Sequence, residues 1–270
     1  MIEIVFSDVD GTLLNTAHRV TPATRAALLA LGEVPFVIVS ARSPSGLYPI
    51  LRRNGFTCPL IAYSGALIQD ERGEILYQRG MEPALAGEIL AFLETERLPV
   101  TWCLYAGDDW LVKDRSSPAV RREEEIVEAQ SRAGSLKDLP PTQRVHKILC
   151  ICAPGTIDDT RRRIQSRFPS VNAVQSSDIL LELMDRGVNK AEAVRFYCDR
   201  LGIRLTNAAA FGDNYNDWEM LEAVGHPVVM GNAPAPIRAR FRRVTADNDH
   251  DGIAAALRAF AAEGLLALIR

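Results

Sequence analysis

The chain lacks any uninterrupted apolar run of 18 residues, the length that marks a membrane-spanning helix. No membrane partner is therefore expected. It also lacks a surplus of either charge: 31 Lys and Arg stand against 34 Asp and Glu, a formal net charge of −3. That balance, with a pI near 5.9, leaves no basic footprint for nucleic acid, although a local site can still oppose it and take an anionic substrate. C-x-x-C pairs are absent, and the five cysteines (Cys58, Cys103, Cys150, Cys152, Cys198) are odd in number. Cys150 and Cys152 alternate along a strand-like run, so they share a face and read as small hydrophobes. Reduced thiols are the expectation. The first residues carry Glu3 and Asp8 where a signal peptide has its apolar stretch, with no basic start and no small-residue cleavage site. A cytoplasmic location follows as an expectation. Low-complexity segments and long linkers are missing as well.

What is there is 270 residues, 47% of them hydrophobic, enough for one large domain or two smaller ones. "IEIVFSDV", "VPFVIVS" (34–40) and "PLIAYS" (59–64) are apolar strand-like runs. Between the first two, "TPATRAALLALGE" reads as a helix with Thr21 at the N-cap, Pro22 at the first helical position and Gly32 past the end. A second helix, with Leu47, Ile50 and Leu51 on one face, separates the next pair. Strands buried on both faces and alternating with helices indicate a parallel α/β sheet. The pattern changes over 82–184. A helix ("PALAGEILAFLETERL") leads into two strands joined by a Gly-Asp-Asp turn ("PVTWCLYAGDDWLVKD"). A charged helix ("AVRREEEIVEAQSR") and the strand "RVHKILCICA" come next, then another helix and a second hairpin, "VNAVQSSDILLELM". Helix followed by hairpin at both ends suggests a weak duplication and an antiparallel sheet with helices on one face. Beyond Gly187 the α/β pattern resumes.

"VFSDVDGTLL" (5–14) sets the functional question, because an apolar strand ends there in two aspartates, and buried carboxylates are costly unless paired, hydrogen-bonded or bound to metal. In open parallel sheets ligands bind beyond the carboxyl ends of the strands. Polar residues able to converge there are Asp8 and Asp10 after the first strand, Ser40 after the second, Lys190 near a helix start and Asp213 after "AAAF".

"DVDGTLL", "VIVSAR", "GVNKAEAV" and "FGDNYNDWEML" stand in the order and settings of the four motifs of the haloacid dehalogenase superfamily of phosphatases, which the sequence resembles. "VVMGNA", "VTADNDHDGIAAAL" and the large insertion between the second and third motifs are similar to the Cof-type branch with its IIB cap. The resemblance implies an α/β fold: a Rossmann-like parallel-sheet core over 1–81 and 185–270, and an inserted α+β cap (C2, type B) over 82–184. Such a cap would exclude bulk water and contact the leaving group.

The resemblance also implies roles. Asp8 would be the nucleophile and form an aspartyl phosphate. Asp10 would protonate the leaving alcohol and then deprotonate the hydrolytic water. Mg2+ would be held by Asp8, the Asp10 main-chain carbonyl and Asp213, with Asp217 one helical turn on bracing it directly or through water. Ser40 and the Val9 and Ala41 amides would bind phosphate, the last as a helix-terminal donor. Lys190 would shield the phosphate from Asp8, and Asn216 is available to position phosphate or Ser40. Gly11 permits a sharp turn beside the phosphate. The function implied is Mg2+-dependent hydrolysis of small phosphomonoesters such as sugar phosphates. The alternatives are a phosphomutase or phosphotransferase, and a non-catalytic module that binds phosphorylated metabolites.

His18, His146, His226 and His250 are scattered and read as surface or packing residues, and "RREEEIVEAQSR" as a solvated helix face. Trp102, Tyr105 and Trp110 sit on the first hairpin of the insertion, where packing is the expected role. Two departures from the family pattern stand out. Ser40-Ala41-Arg42 replaces the usual Thr-Gly-Arg, and Ser64 replaces a frequent asparagine before Gly-Ala.

Overall fold

The computed structural model describes residues 1–269, which form two compact units. Within the described residues the first comprises 1–41, 50–77 and 189–269, and the second Arg42–Pro49 and Gln78–Val188. In chain order the elements of the first part are β1 (Ile4–Ser7), α1 (Pro22–Leu29), β2 (Phe36–Val39), α2 (Pro44–Asn54), β3 (Leu60–Ala62), β4 (Leu67–Gln69) and β5 (Ile75–Gln78). The middle carries α3 (Pro83–Thr95), β6 (Val100–Ala106), β7 (Asp109–Val112), α4 (Pro118–Val127), β8 (Arg132–Ala133), β9 (Lys147–Cys152), α5 (Ile157–Arg167), β10 (Val171–Gln175) and β11 (Leu180–Asp185). The chain closes with α6 (Lys190–Leu201), β12 (Ala208–Gly212), α7 (Trp218–Ala223), β13 (His226–Val229), α8 (Ala235–Arg240) and α9 (Gly252–Ala262).

In the first unit the sheet order is β13-β12-β1-β2-β3-β4-β5. β1 pairs in parallel with β12 and with β2, so it lies where the strand order switches direction. All four residues of β1 are buried, as its unbroken "IVFS" requires. Alternation sends Ile4 and Phe6 to one face, where they join Val194, Tyr197 and Cys198 of α6 and Met220 and Leu221 of α7. Phe6 meets Tyr197 edge to face at 6.3 Å. Each such large side chain contributes about 1.5–3 kcal/mol by leaving water. Thr21 caps α1, accepting from the Thr24 N–H, and Pro22 opens it, as the sequence indicates. The sheet is not wholly parallel. β4 runs antiparallel to β3, and neither β4 nor β5 is legible in the sequence.

In the second unit the order is β10-β11-β9-β6-β7-β8, antiparallel except where β7 meets β8. Leu104, Ile148, Cys150, Cys152, Leu181 and Leu183 pack with Ile89 and Leu93 of α3 and Ile164 of α5, one face of the sheet against the helices. Cys150 and Cys152 do share that face. Trp102 belongs to the same cluster, whereas Tyr105 and Trp110 stack on each other at 5.3 Å. Lys147 sits over the Tyr105 ring and pairs with Glu182 at 3.4 Å. His146 is buried and its Nδ1 accepts the Gly107 N–H at 3.0 Å. All five cysteines are free and buried. Burial pushes the Cys58 and Cys103 thiols up to about 12 and Cys198 up to about 11. No helix among the described residues is long and apolar enough to cross a membrane.

Candidate active site

β1 delivers Asp8 and Asp10 at its carboxyl end, β2 delivers Ser40, and β12 delivers Asp213. Lys190 is the first residue of α6, whose N-cap Asn189 accepts the Glu192 N–H. That position drives the ammonium inward, and Lys190 is only 2% exposed. Its Nζ donates to Asp8 Oδ1 at 2.5 Å and to Asp217 Oδ1 at 2.6 Å. Asp217, fully buried, accepts through Oδ2 from the backbone N–H groups of Asp213 and Asn214, each at 3.0 Å. Asp8, Lys190, Asp213 and Asp217 thus form one hydrogen-bonded assembly, with residues as far apart as 182 positions in direct contact.

Both Asp217 oxygens are engaged within the protein, one by an ammonium and one by the turn that carries Asp213. Asp213 is held separately. Thr12 donates its hydroxyl to Oδ1 at 2.6 Å, and Asn232 Nδ2 approaches Oδ2 at 3.4 Å and the Gly11 carbonyl at 2.8 Å. Gly11 takes φ +82°, and a Cβ there would lie 2.9 Å from the Asp213 carboxyl carbon. The glycine is therefore required by the close approach of Asp213 as well as by the turn.

Burial pushes the Asp8 carboxyl well above the usual range, reinforced by Asp217 and Asp213 and opposed by the Lys190 ammonium. Asp213 is pushed up to about 6, again chiefly by burial, with Asp217 and Asp10 adding to the rise. Burial works against the Lys190 ammonium, but Asp217 and Asp8 outweigh it and raise its pKa. Asp8 and Asp217 thus share one buried ammonium, with the Asp213 carboxyl beside them. Asp8, Asp213 and Asp217 can each offer an oxygen within 4.8 Å of the others. An oxygen-only donor set with excess negative charge fits a hard divalent cation such as Mg2+.

Asp10 is exposed, and its backbone bridges to Leu14. Val9 is buried, and its carbonyl accepts the Thr12 and Leu14 N–H groups to close the loop. Ser40 is 1% exposed, its N–H on the Ile61 carbonyl and its own carbonyl on the Ser64 N–H. Ala41 does not stand at a helix terminus as expected. Pro44, suited to the first helical position, starts α2, and the Ser43 hydroxyl accepts the Gly46 N–H. Asn216 shares the Tyr215–Asp217 turn but is exposed and outside the network around Asp217. Sequence reasoning missed Thr12, Asn232 and Asn248, the last of which donates to the Leu14 carbonyl and, through its N–H, to Asn232 Oδ1. All three lie inside quoted motifs ("DVDGTLL", "VVMGNA", "VTADNDHDG"), which was the available signal.

A sequence profile of the haloacid dehalogenase-like hydrolases matches residues 5–257. The chain is 35% identical over 257 residues to a provisionally named phosphatase of Haemophilus influenzae, covering 94% of this chain and 96% of that one. It is 30% identical over 241 residues to the HMP-PP phosphatase of Citrobacter koseri, covering 86% and 85% of the two chains. The structure matches that of a sugar phosphatase of haloacid dehalogenase subclass IIB with a TM-score of 0.80 at 21% identity, over 98% of this chain and all of the other.

Proposed function

The chain belongs to the haloacid dehalogenase-like hydrolases and is a phosphatase of their Cof-type branch, and from that premise we propose that it hydrolyses small phosphomonoesters with Mg2+ through a phosphorylated Asp8. The observation that carries this reading is the bridge from Lys190 to Asp8 and Asp217 at the carboxyl end of β1, beside Asp213. Asp8 is the group able to attack phosphorus, because it is fixed at a strand end and gives only Oδ1 to Lys190. As its carboxylate oxygen bonds to phosphorus, the bond to the leaving alcohol breaks. Asp10, two residues on and exposed, hands its proton to the departing oxygen. The same carboxylate then takes a proton from water as water attacks the phosphoryl group, which frees inorganic phosphate and restores Asp8.

Lys190 sets positive charge beside the attacking carboxylate and the incoming dianion. Asp217 keeps that ammonium in place and acts as its anchor. Ser40 and the Val9 and Ala41 amides take the phosphate oxygens. Asp8, the Asp10 carbonyl and Asp213 would hold Mg2+, which supplies a Lewis-acid charge against the mutual repulsion of carboxylate and phosphate. The names of the Citrobacter koseri relative and the subclass IIB neighbour support a small phosphorylated metabolite as substrate.

Purified protein should release phosphate from p-nitrophenyl phosphate in the presence of Mg2+. EDTA or Asp8→Asn should abolish the release, and full activity in Asp8→Asn would overturn the mechanism. A panel of phosphorylated metabolites, scored for free phosphate and for isomer interconversion, separates hydrolase from mutase.

A further inference from the structure

The tail motif "VTADNDHDG" plays no part in the chemistry above, yet it is tied to the loop that carries it. Asn248 donates Nδ2 to the Leu14 carbonyl at 2.9 Å. Asp249 Oδ1 accepts from both the N–H and the hydroxyl of Thr16, each at 2.9 Å. Asp247 holds the turn in shape, accepting the Asp249 and His250 N–H groups. The same turn reaches Asn232, whose Oδ1 accepts the Asn248 N–H at 3.2 Å.

That last bond fixes the direction of the Asn232 amide. A backbone N–H can only donate, so Oδ1 must face Asn248. A carbonyl can only accept, so Nδ2 must face Gly11, which it does at 2.8 Å, and this also points it at Asp213 Oδ2, 3.4 Å away. Two partners of opposite polarity therefore impose one orientation. Thr12 grips the other oxygen of Asp213. The carboxylate is held on both oxygens by groups belonging to, or bonded to, the Asp8 loop.

We propose that Asn232 is a positioning residue for the metal site: oriented by the Asn248 backbone, it joins the Gly11 carbonyl to Asp213 and sets the spacing of the Asp8 loop from Asp213. This rests on the reading that Asp8 and Asp213 hold the divalent cation. Carboxylates that receive a hydrogen bond while binding a metal lose 10–100-fold in metal affinity, as an order-of-magnitude figure, when that partner is removed. The cost falls on affinity, because Asn232 contacts neither the nucleophile nor the phosphate-binding groups.

The test uses Mn2+ as a spectroscopic probe, with free Mn2+ quantified by electron paramagnetic resonance during titration of the full chain. Wild type should bind Mn2+, and Asp213→Asn should lose that binding. Asn232→Ala, shown to be folded by near-ultraviolet circular dichroism, should bind about 10-fold more weakly or worse. Its half-saturating Mg2+ concentration in p-nitrophenyl phosphate hydrolysis should rise in step, with kcat at saturating Mg2+ within roughly threefold of wild type by the same reasoning. If Asn232→Ala does not fold, Asn232→Ser carries the same expectation, since its hydroxyl is too short to span both partners. Unchanged Mn2+ affinity in a folded variant overturns the proposal, as does a fall in kcat without a change in affinity. Failure of wild type to bind Mn2+ overturns the underlying metal-site reading instead.

Discussion

Asp217 meets Lys190 with one oxygen and two backbone N–H groups with the other. An asparagine in its place can serve only one side, because its NH2 group would face either the ammonium or the two N–H donors. Asp217→Asn should therefore cost stability, toward the lower end of about 3–5 kcal/mol because Lys190 keeps Asp8 as a partner. Urea unfolding measures it. Were Asp217 instead a simple metal ligand, neutralising it would relieve repulsion in the metal-free protein and stability would hold or rise. At this scale the sequence is legible where a motif names a residue type. Asp8, Lys190 and Asp213 were marked by their motifs, and the fold joins them. The division of labour within a carboxylate is not legible, because the direction of each oxygen depends on neighbours far along the chain. For the same reason nothing in "GNA" reveals the bond from Asn232 to the Gly11 carbonyl.

Tyr63, Ser64 and Gly65 form a short 3-10 turn after β3, with positive φ at all three. Asparagine tolerates the left-handed region better than serine, so the turn gives a backbone reason for the asparagine that the family resemblance leads one to expect at position 64. Gly65 has φ +109°, and a Cβ there would lie 2.6 Å from the Asn189 carbonyl and 3.0 Å from Ala193 Cβ. Gly65→Ala should thus destabilise by at least about 2 kcal/mol and displace the start of α6, which carries Lys190. Denaturant unfolding together with phosphatase assay checks both effects. Most helices and buried strands were readable from apolar runs and caps, Thr21-Pro22 among them. β4 and β5 were not: β4 has three residues, and β5 is an edge strand without a buried face. α4 ends sooner than its composition indicates, with Glu128 at φ +53° and no glycine or proline to announce the stop.

Across the whole molecule, each unit has a hydrophobic cluster of its own. In the second unit burial lowers the His146 pKa from 6.5 to about 4. The neutral ring accepts the Gly107 N–H through Nδ1, a bond that protonation would abolish. A histidine whose folded pKa lies below its unfolded value stabilises above the unfolded value, and that contribution is lost as pH falls from about 6.5 toward about 4. Wild type should lose up to about 1.4 kcal/mol per pH unit more than His146→Asn across that window, read from urea midpoints at successive pH values. The alternation of an α/β core with an inserted antiparallel section was visible as a change in sequence period. The run of residues 42–49 with the second unit was not, since it lies within one continuous helical pattern.

The five buried thiols have a chemical consequence. Alkylating agents and peroxides react with thiolate, and interior sulfurs whose pKa is driven to about 11 or 12 present almost none at neutral pH. While the chain is folded, Cys58, Cys103 and Cys198 are thereby poor targets for thiol-directed electrophiles. Cys58 and Cys198 lie in one unit, Cys103, Cys150 and Cys152 in the other, so modification of each set marks the opening of its own half.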